Sequence, residues 1–279
     1  MSNQDYSVKQ LLEIAACASF HLCVYVCPAV SASRDGTPSA ICRMRGVKEI
    51  LKSRIGLFSK IFAKKGYSDE EWRYLSNRVF RCTLCGNCEE VCPVGIRLKT
   101  LWLSLCQDLV HSEFYPEKID MIQENLKQTY NVFVEDNEDR ADWVDDMPDA
   151  HGHGYLKEQA EVVYFTGCVA AFLPLAQRIP IALAKILDVS RVGLTLLGED
   201  EWCCGFPLLG AGLKDMFHEF RDHNLEKIRE KGAKKIIFAC PSCFLVWREY
   251  YPRDVEIVMP LTCWRTRSKK IAFPLKSSH

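Results

Sequence analysis

Fifteen cysteines in 279 residues fall almost entirely into two arrays of different spacing. Those spacings constrain the fold more than any other property of the chain. The first array is Cys82-Thr-Leu-Cys85-Gly-Asn-Cys88-Glu-Glu-Val-Cys92-Pro93, preceded by a related run, Cys17-Ala-Ser-Phe20-His-Leu-Cys23-Val-Tyr-Val-Cys27-Pro28. The second is Cys168, then Cys203-Cys204-Gly205, then Cys240-Pro-Ser-Cys243. The chain is too long for a small disulfide scaffold. No N-terminal stretch shows the basic start, apolar run and small-residue cleavage site of a signal peptide. Metal-bound thiolates in a reducing compartment are therefore expected, in the cytoplasm or peripherally on the inner face of a membrane.

Charge narrows the partners. Lys plus Arg and Asp plus Glu both total 36, so nothing points to nucleic acid. No apolar run reaches the roughly 20 residues that span a bilayer. Neither a Gly-x-Gly-x-x-Gly nor a phosphate-loop motif occurs, so no flavin or nucleotide site is expected here. Electrons must then come from a flavin- or haem-bearing partner subunit.

Periodicity divides the chain into an α-helical domain over 1–130, an acidic linker over 131–160 and an α/β domain over 161–279. In the first, Ser68-Asp-Glu-Glu71 reads as a capping box in front of Trp72, Leu75 and Phe80, and helical spacing resumes with Leu98, Leu101, Leu105 and Val110. Residues 46–66 read as a basic amphipathic helix, suited to an anionic membrane surface or to packing across the first domain. The linker is crowded by Glu135, Asp136, Glu138, Asp139, Asp142, Asp145, Asp146 and Asp149 and reads as a solvated linker, with a docking strip for a basic partner as the other reading. Beyond it, strands at 162–165, 194–197, 235–239 and 255–258 alternate with helices at 171–188 and 212–231, the pattern of a mostly parallel sheet. The fold class expected is multidomain α+β. Each cysteine group of the second array follows a strand, and the C-terminal ends of strands are where open α/β sheets place their sites.

The run Cys-x2-Cys-x2-Cys-x3-Cys-Pro at 82–93 is the signature of a two-cluster ferredoxin, in which the fourth cysteine ligates the other cluster. Cys82, Cys85 and Cys88 thus pair with Cys27 on a 4Fe–4S cluster. In the earlier run Phe20 stands where a second cysteine would be, leaving Cys17, Cys23 and Cys92. Three thiolates suffice for a 3Fe–4S cluster, and the run resembles the segment that holds one in succinate dehydrogenase iron–sulfur subunits. A 4Fe–4S cluster completed by Cys42, His21 or an exogenous ligand is the other reading. Cys106 and Cys263 read as packing thiols.

The phrases Tyr-Phe-Thr-Gly-Cys168, Glu-Trp-Cys203-Cys204-Gly-Phe-Pro and Ala-Cys240-Pro-Ser-Cys243 resemble the Cys-Cys-Gly domain of heterodisulfide reductase catalytic subunits. Its relatives include the iron–sulfur subunits of anaerobic glycerol-3-phosphate, glycolate and lactate dehydrogenases. The resemblance covers about residues 10–260, and the order of domains matches the single-chain catalytic subunit. It implies a noncubane 4Fe–4S cluster on Cys168, Cys203, Cys204, Cys240 and Cys243, with Cys203 and Cys204 at the centre of catalysis. Zinc or an ordinary cubane on four of the five, leaving one cysteine as a bystander, is the other reading. Family members often carry two such modules in tandem, whereas this chain completes one. It works with one module, receives the other from a partner subunit, or is a shortened form.

Three functions follow as expectations. The first is the iron–sulfur subunit of a heterodisulfide-reductase-like oxidoreductase of anaerobic metabolism. It would relay electrons through two ferredoxin clusters to the Cys-Cys-Gly cluster, which reduces a disulfide or oxidises a dithiol. The second is an electron-transfer subunit linking a dehydrogenase to a membrane quinone or cytochrome partner. The third is a zinc-organised scaffold attached to a ferredoxin.

Overall fold

The computed structural model describes residues 6–33, 38–55, 68–147, 152–190 and 192–259. They form two compact units. The first comprises the described residues up to Met121 together with Pro207–Lys214. The second comprises Ile122–Phe206 and the described residues from Asp215.

The first unit is helical: α1 (Val8–Ala16), α2 (Leu22–Tyr25), α3 (Pro28–Ser33), α4 (Ala40–Ile55), α5 (Asp69–Val79), α6 (Asn87–Glu90) and α7 (Leu98–His111). The capping box of α5 is present. Ser68 Oγ accepts from the Glu71 amide at 3.3 Å, and Glu71 Oε2 accepts from the Ser68 amide at 2.8 Å. Helix α7 buries Leu98, Leu101, Trp102, Leu105, Cys106 and Leu109 along one stripe, with Leu109 rather than Val110 closing the inner face. Against it pack Met44, Val47 and Ile50 of α4 and Leu75 and Val79 of α5. A Cβ at Gly46 would lie 2.4 Å from Leu75 Cδ1, so α4 and α5 approach at a point where no side chain fits. Of the basic amphipathic stretch, 46–51 is a helix turned into this core, and the side chains from 52 to 66 lie outside the described residues.

The unit boundary falls within α8 (Lys118–Thr129). The acidic segment that follows is folded, in contrast to the solvated linker expected. Asn137–Val144 is a 3-10 helix that buries Arg140, Trp143 and Val144, while Glu138, Asp139, Asp142, Asp145 and Asp146 face outward. The crowd of acids is the wet side of a packed element, not a sign of missing structure.

In the second unit, β1 (Val162–Phe165), β2 (Leu194–Thr195), β3 (Lys235–Phe238) and β4 (Glu256–Val258) form one parallel sheet in the order β2-β1-β3-β4. Helices α9 (Cys168–Phe172), α10 (Arg178–Val189), α12 (Lys214–Glu230) and α13 (Pro241–Tyr250) occupy the connections, while α11 (Phe206–Gly210), which precedes α12 in the chain, belongs from Pro207 onward to the first unit. The single helix expected at 171–188 is broken into α9 and α10. Leu173 is extended (φ −93°, ψ 112°) because Pro174 disfavours helical geometry in the residue before it. Strand β2 ends at Thr195 because the Leu196 amide turns to the Tyr155 carbonyl. Tyr164, Leu183, Ala184, Leu187, Leu194, Ile237 and Trp143 pack into the core of this unit.

Candidate metal centres

The two runs of the first array adopt one backbone. In the run from Cys17, Ser19 (φ 60°) and His21 (φ 66°) are left-handed, α2 follows, and Val26 closes it at φ −99°, ψ 3°. In the run from Cys82, Leu84 (φ 53°) and Gly86 (φ 82°) are left-handed, α6 follows, and Val91 closes it at φ −97°, ψ 2°. Three of those four left-handed residues carry side chains, a conformation L-residues adopt rarely and at some cost. Its repetition marks a loop shape that wraps inward-facing sulfur.

Each loop opens on a cavity. Cys17, Cys23 and Cys92 line the first, with Phe20, His21 and the apolar Ala40, Ile41 and Met44 of α4. Phe20 is 62% exposed. Burial pushes the Cys23 thiol up, and neighbouring Cys17 and Cys92 add to the effect. Cys27, Cys82, Cys85 and Cys88 line the second cavity, with Arg43, Lys99 and Trp102. Burial pushes Cys88 up to about 11, opposed by the Trp102 indole and the Arg43 charge. The sets of three and four thiols expected from the sequence are therefore each brought together. Cys42 is not among the residues lining either cavity. Cys106 is buried in α7, and its thiol is pushed up to about 12 by burial. Cys263 lies outside the described residues.

In the second unit, Cys168 opens α9 after β1, and Cys240 caps α13 after β3. Cys203 and Cys204 follow β2 on a short loop. All five thiols of the second array form a run of neighbours, in which Cys168 meets Cys203, Cys203 meets Cys204, Cys204 meets Cys243 and Cys243 meets Cys240. A Cβ at Gly167 (φ 77°) would sit 3.0 Å from Cys243 Sγ, so Gly167 leaves the space in which the strands' ends converge. Among the described residues, no three Cys, His, Asp or Glu side chains surround a single point as they would one metal ion.

Within the run the thiols are polarised unequally. Cys204 is pulled down to about 6 by the Cys203 and Cys243 thiols and the Phe206 amide. Cys240 is pulled down to about 6 by the Cys243 thiol and then by the amides of Cys243 and Ser242 at the start of α13. Cys168 is pushed up, first by its bond with Cys203 and then by burial.

The Cys-Cys backbone is clamped. The Cys203 amide donates to the Tyr130 carbonyl at 2.8 Å. Asn224 accepts from the Trp202 amide and donates to the Cys203 carbonyl at 3.2 Å, and the Tyr251 hydroxyl donates to the Cys204 carbonyl at 3.2 Å. Gly205 turns the chain at φ 85°, where a Cβ would lie 2.4 Å from the Phe217 ring.

Beneath Cys168 lies an ion pair that the cysteine spacings do not announce. Arg140 and Glu201, each 1% exposed, meet at 2.9 Å. Arg140 also donates toward Cys168 Sγ at 3.8 and 3.9 Å, and Asn137 Oδ1 accepts from its Nη2 at 2.9 Å. Glu201 accepts from the Thr166 and Gly167 amides, both at 2.8 Å. Burial disfavours the Arg140 cation, but Cys168 and Glu201 outweigh it and hold the charge in place. Burial likewise pushes the Glu201 carboxyl up, against Arg140 and the two amides. One signal was available: Arg140 is the only basic residue between 131 and 147.

The donor sets fit iron–sulfur clusters, which thiolates hold and which carry further sulfur able to accept hydrogen bonds. Comparison with known proteins agrees. Residues 13–96 match the 4Fe-4S dicluster domain, and residues 162–248 match a cysteine-rich domain. The chain is 32% identical over 266 residues to one subunit of the dihydromethanophenazine:CoB–CoM heterodisulfide reductase of Methanosarcina barkeri, covering 93% of this chain and 63% of that protein. The corresponding protein of Methanosarcina mazei is 33% identical with the same coverage. The EtfAB:quinone oxidoreductase of Syntrophomonas wolfei is 24% identical over 274 residues, 90% of this chain and 38% of that protein. The chain thus spans less than two thirds of the length of these relatives. No solved structure matches.

Proposed function

We propose, from the premise that this chain is a heterodisulfide-reductase-like iron–sulfur protein joining a 4Fe-4S dicluster domain to a cysteine-rich domain, that it carries electrons through its first unit to the Cys-Cys-Gly turn, where a disulfide is reduced or a dithiol oxidised. Reduction takes up two electrons and two protons and releases two thiols. The electrons come from a partner subunit bearing flavin or haem. Cys27, Cys82, Cys85 and Cys88 hold a 4Fe–4S cluster. Cys17, Cys23 and Cys92 hold a 3Fe–4S cluster. Cys168, Cys203, Cys204, Cys240 and Cys243 hold a noncubane 4Fe–4S cluster. Bound clusters supply one-electron oxidation and reduction.

The observation that carries this reading is the run of five neighbouring buried or half-buried thiols from three strand ends. Five sulfurs exceed the four that a structural zinc takes. Adjacent Cys203 and Cys204 both present sulfur to the same run because the turn at Gly205 and the clamp from Asn224 and Tyr251 fix their backbone. Arg140 supports Cys168 from behind, and the start of α13 supports Cys240 as thiolate.

A second reading, pure electron relay between a dehydrogenase and a membrane quinone partner, is favoured by the similarity to the EtfAB:quinone oxidoreductase. Among the described residues no helix is long and apolar enough to cross a membrane.

Metal analysis of anaerobically purified protein tests the cluster assignment. About eleven irons per chain without zinc supports it, and seven irons with one zinc sinks the five-cysteine cluster. Oxidising the reduced protein with a thiol/disulfide pair then separates the two functions. A new EPR signal that changes in Cys203→Ser places substrate sulfur at the turn, whereas silence with every thiol tested favours the relay.

A further inference from the structure

Helix α4 presents two different faces to the two cavities of the first unit. To the first it offers Ala40, Ile41 and Met44, and to the second Arg43. Arg43 and Trp102 are both 1% exposed, and the guanidinium lies 4.8 Å from the centre of the indole ring. Arg43 Nε and Nη1 and Trp102 Nε1 are buried and have no hydrogen-bond partner among the described residues. The Cys88 thiol stands near enough to feel the indole N–H without closing a hydrogen bond to it. Burying a guanidinium with open N–H groups is costly unless an anion stands beside it, and an unused indole N–H adds to the cost. Two such residues lining the same four-thiol cavity point to a bulky, acceptor-rich anion within it. The sulfurs of a cluster on four thiolates have that character.

We propose that Arg43 and Trp102 tune this cluster: their N–H groups face its sulfurs, and the Arg43 charge raises its reduction potential. The proposal rests on the assignment of Cys27, Cys82, Cys85 and Cys88 as ligands. Reduction adds one negative charge to the cavity, and in a poorly screened interior a fixed cation stabilises the reduced form more than the oxidised one. Arg43 acts chiefly on the second cluster, whose cavity it lines. The first cavity meets the apolar Ala40, Ile41 and Met44 of α4; Lys48 of the same helix donates to the Cys17 carbonyl at 2.9 Å, and the Arg43 charge reaches Cys23 only as the smallest of the influences on that thiol.

The test uses the full chain, reconstituted anaerobically with iron and sulfide, with iron counted and each cluster titrated by EPR at controlled potential. In Arg43→Gln the reduced-to-oxidised ratio of the second cluster at fixed potential falls about tenfold, equivalent to about 59 mV for a one-electron couple. Arg43→Lys recovers most of it. Trp102→Phe, which keeps a ring and removes the donor, shifts the ratio the same way by less. The first cluster moves less in all three. Retained iron with an unmoved midpoint in both Arg43→Gln and Trp102→Phe overturns the proposal while leaving the ligands in place. A full iron count in Cys85→Ser overturns the ligand assignment itself. Should Arg43→Gln fail to hold iron, the Trp102→Phe midpoint decides by the same readout.

Discussion

His21 and Gly86 hold the same left-handed backbone, at φ 66° and 82°, at equivalent points of two cysteine loops. The residue before Gly86 is Cys85, and the residue before His21 is Phe20. The first loop therefore keeps the shape that presents a sulfur at this point while presenting a phenyl ring instead.

Phe20→Cys should restore the missing sulfur without rebuilding the loop. We expect about one additional iron per chain, with loss of the EPR signature of a three-iron cluster. Iron and sulfide analysis of the folded variant checks it. An unchanged iron count means that the cysteine does not reach the metal.

Gly205→Ala should damage the second unit selectively. The left-handed backbone costs a side chain about 1–2 kcal/mol, and pressing a methyl group into the Phe217 ring adds roughly 1–3 kcal/mol. The expected result is a lower unfolding midpoint and loss of iron from the Cys-Cys-Gly site, with the ferredoxin signals retained. Denaturation followed by fluorescence and EPR of the same sample would reveal both.

Arg140→Met should destabilise the second unit by roughly 3–5 kcal/mol, because it leaves Glu201 charged and buried without its partner. The double variant with Glu201→Gln should cost less than the sum of the single changes, since it leaves no uncompensated charge. Urea denaturation across the four proteins measures the coupling, and strict additivity would argue against a functional pair.

Two cysteines of the first unit should behave in opposite ways. Cys88→Ala removes a sulfur that lines the second cavity and should lose about four irons. Cys106→Ala lies within the α7 core and should keep the full iron count at some loss of thermal stability. Equal losses from the two variants would show that stability, not ligation, sets the iron content.

The cysteine spacings carried most of the site. The groupings of Cys17, Cys23 and Cys92, of Cys27 with Cys82–Cys88, and of the five later thiols are each brought together in space. Alternation of apolar runs with helical stretches placed β1 and β3 within a residue, because their central position makes them continuously apolar. The supporting shell was not legible. Arg43, Trp102, Arg140, Glu201 and Asn224 act through burial and long-range contact, which local spacing does not encode. The acidic segment misled for a related reason: its outward charges dominate composition, while its structure depends on the few residues turned inward. The break at Leu173–Gln177 was within reach, since Pro174 announces it.

The parallel sheet also sets an order of assembly. Cys82, Cys85 and Cys88 lie in one loop, so they can gather as soon as that stretch has left the ribosome. Cys168, Cys203, Cys204, Cys240 and Cys243 come from the ends of β1, β2 and β3, joined only through long crossovers, and such distant pairings form late. The second site cannot exist before residue 243 has been synthesised and β3 has docked beside β1. Iron could therefore enter the first array while the second site has still to form.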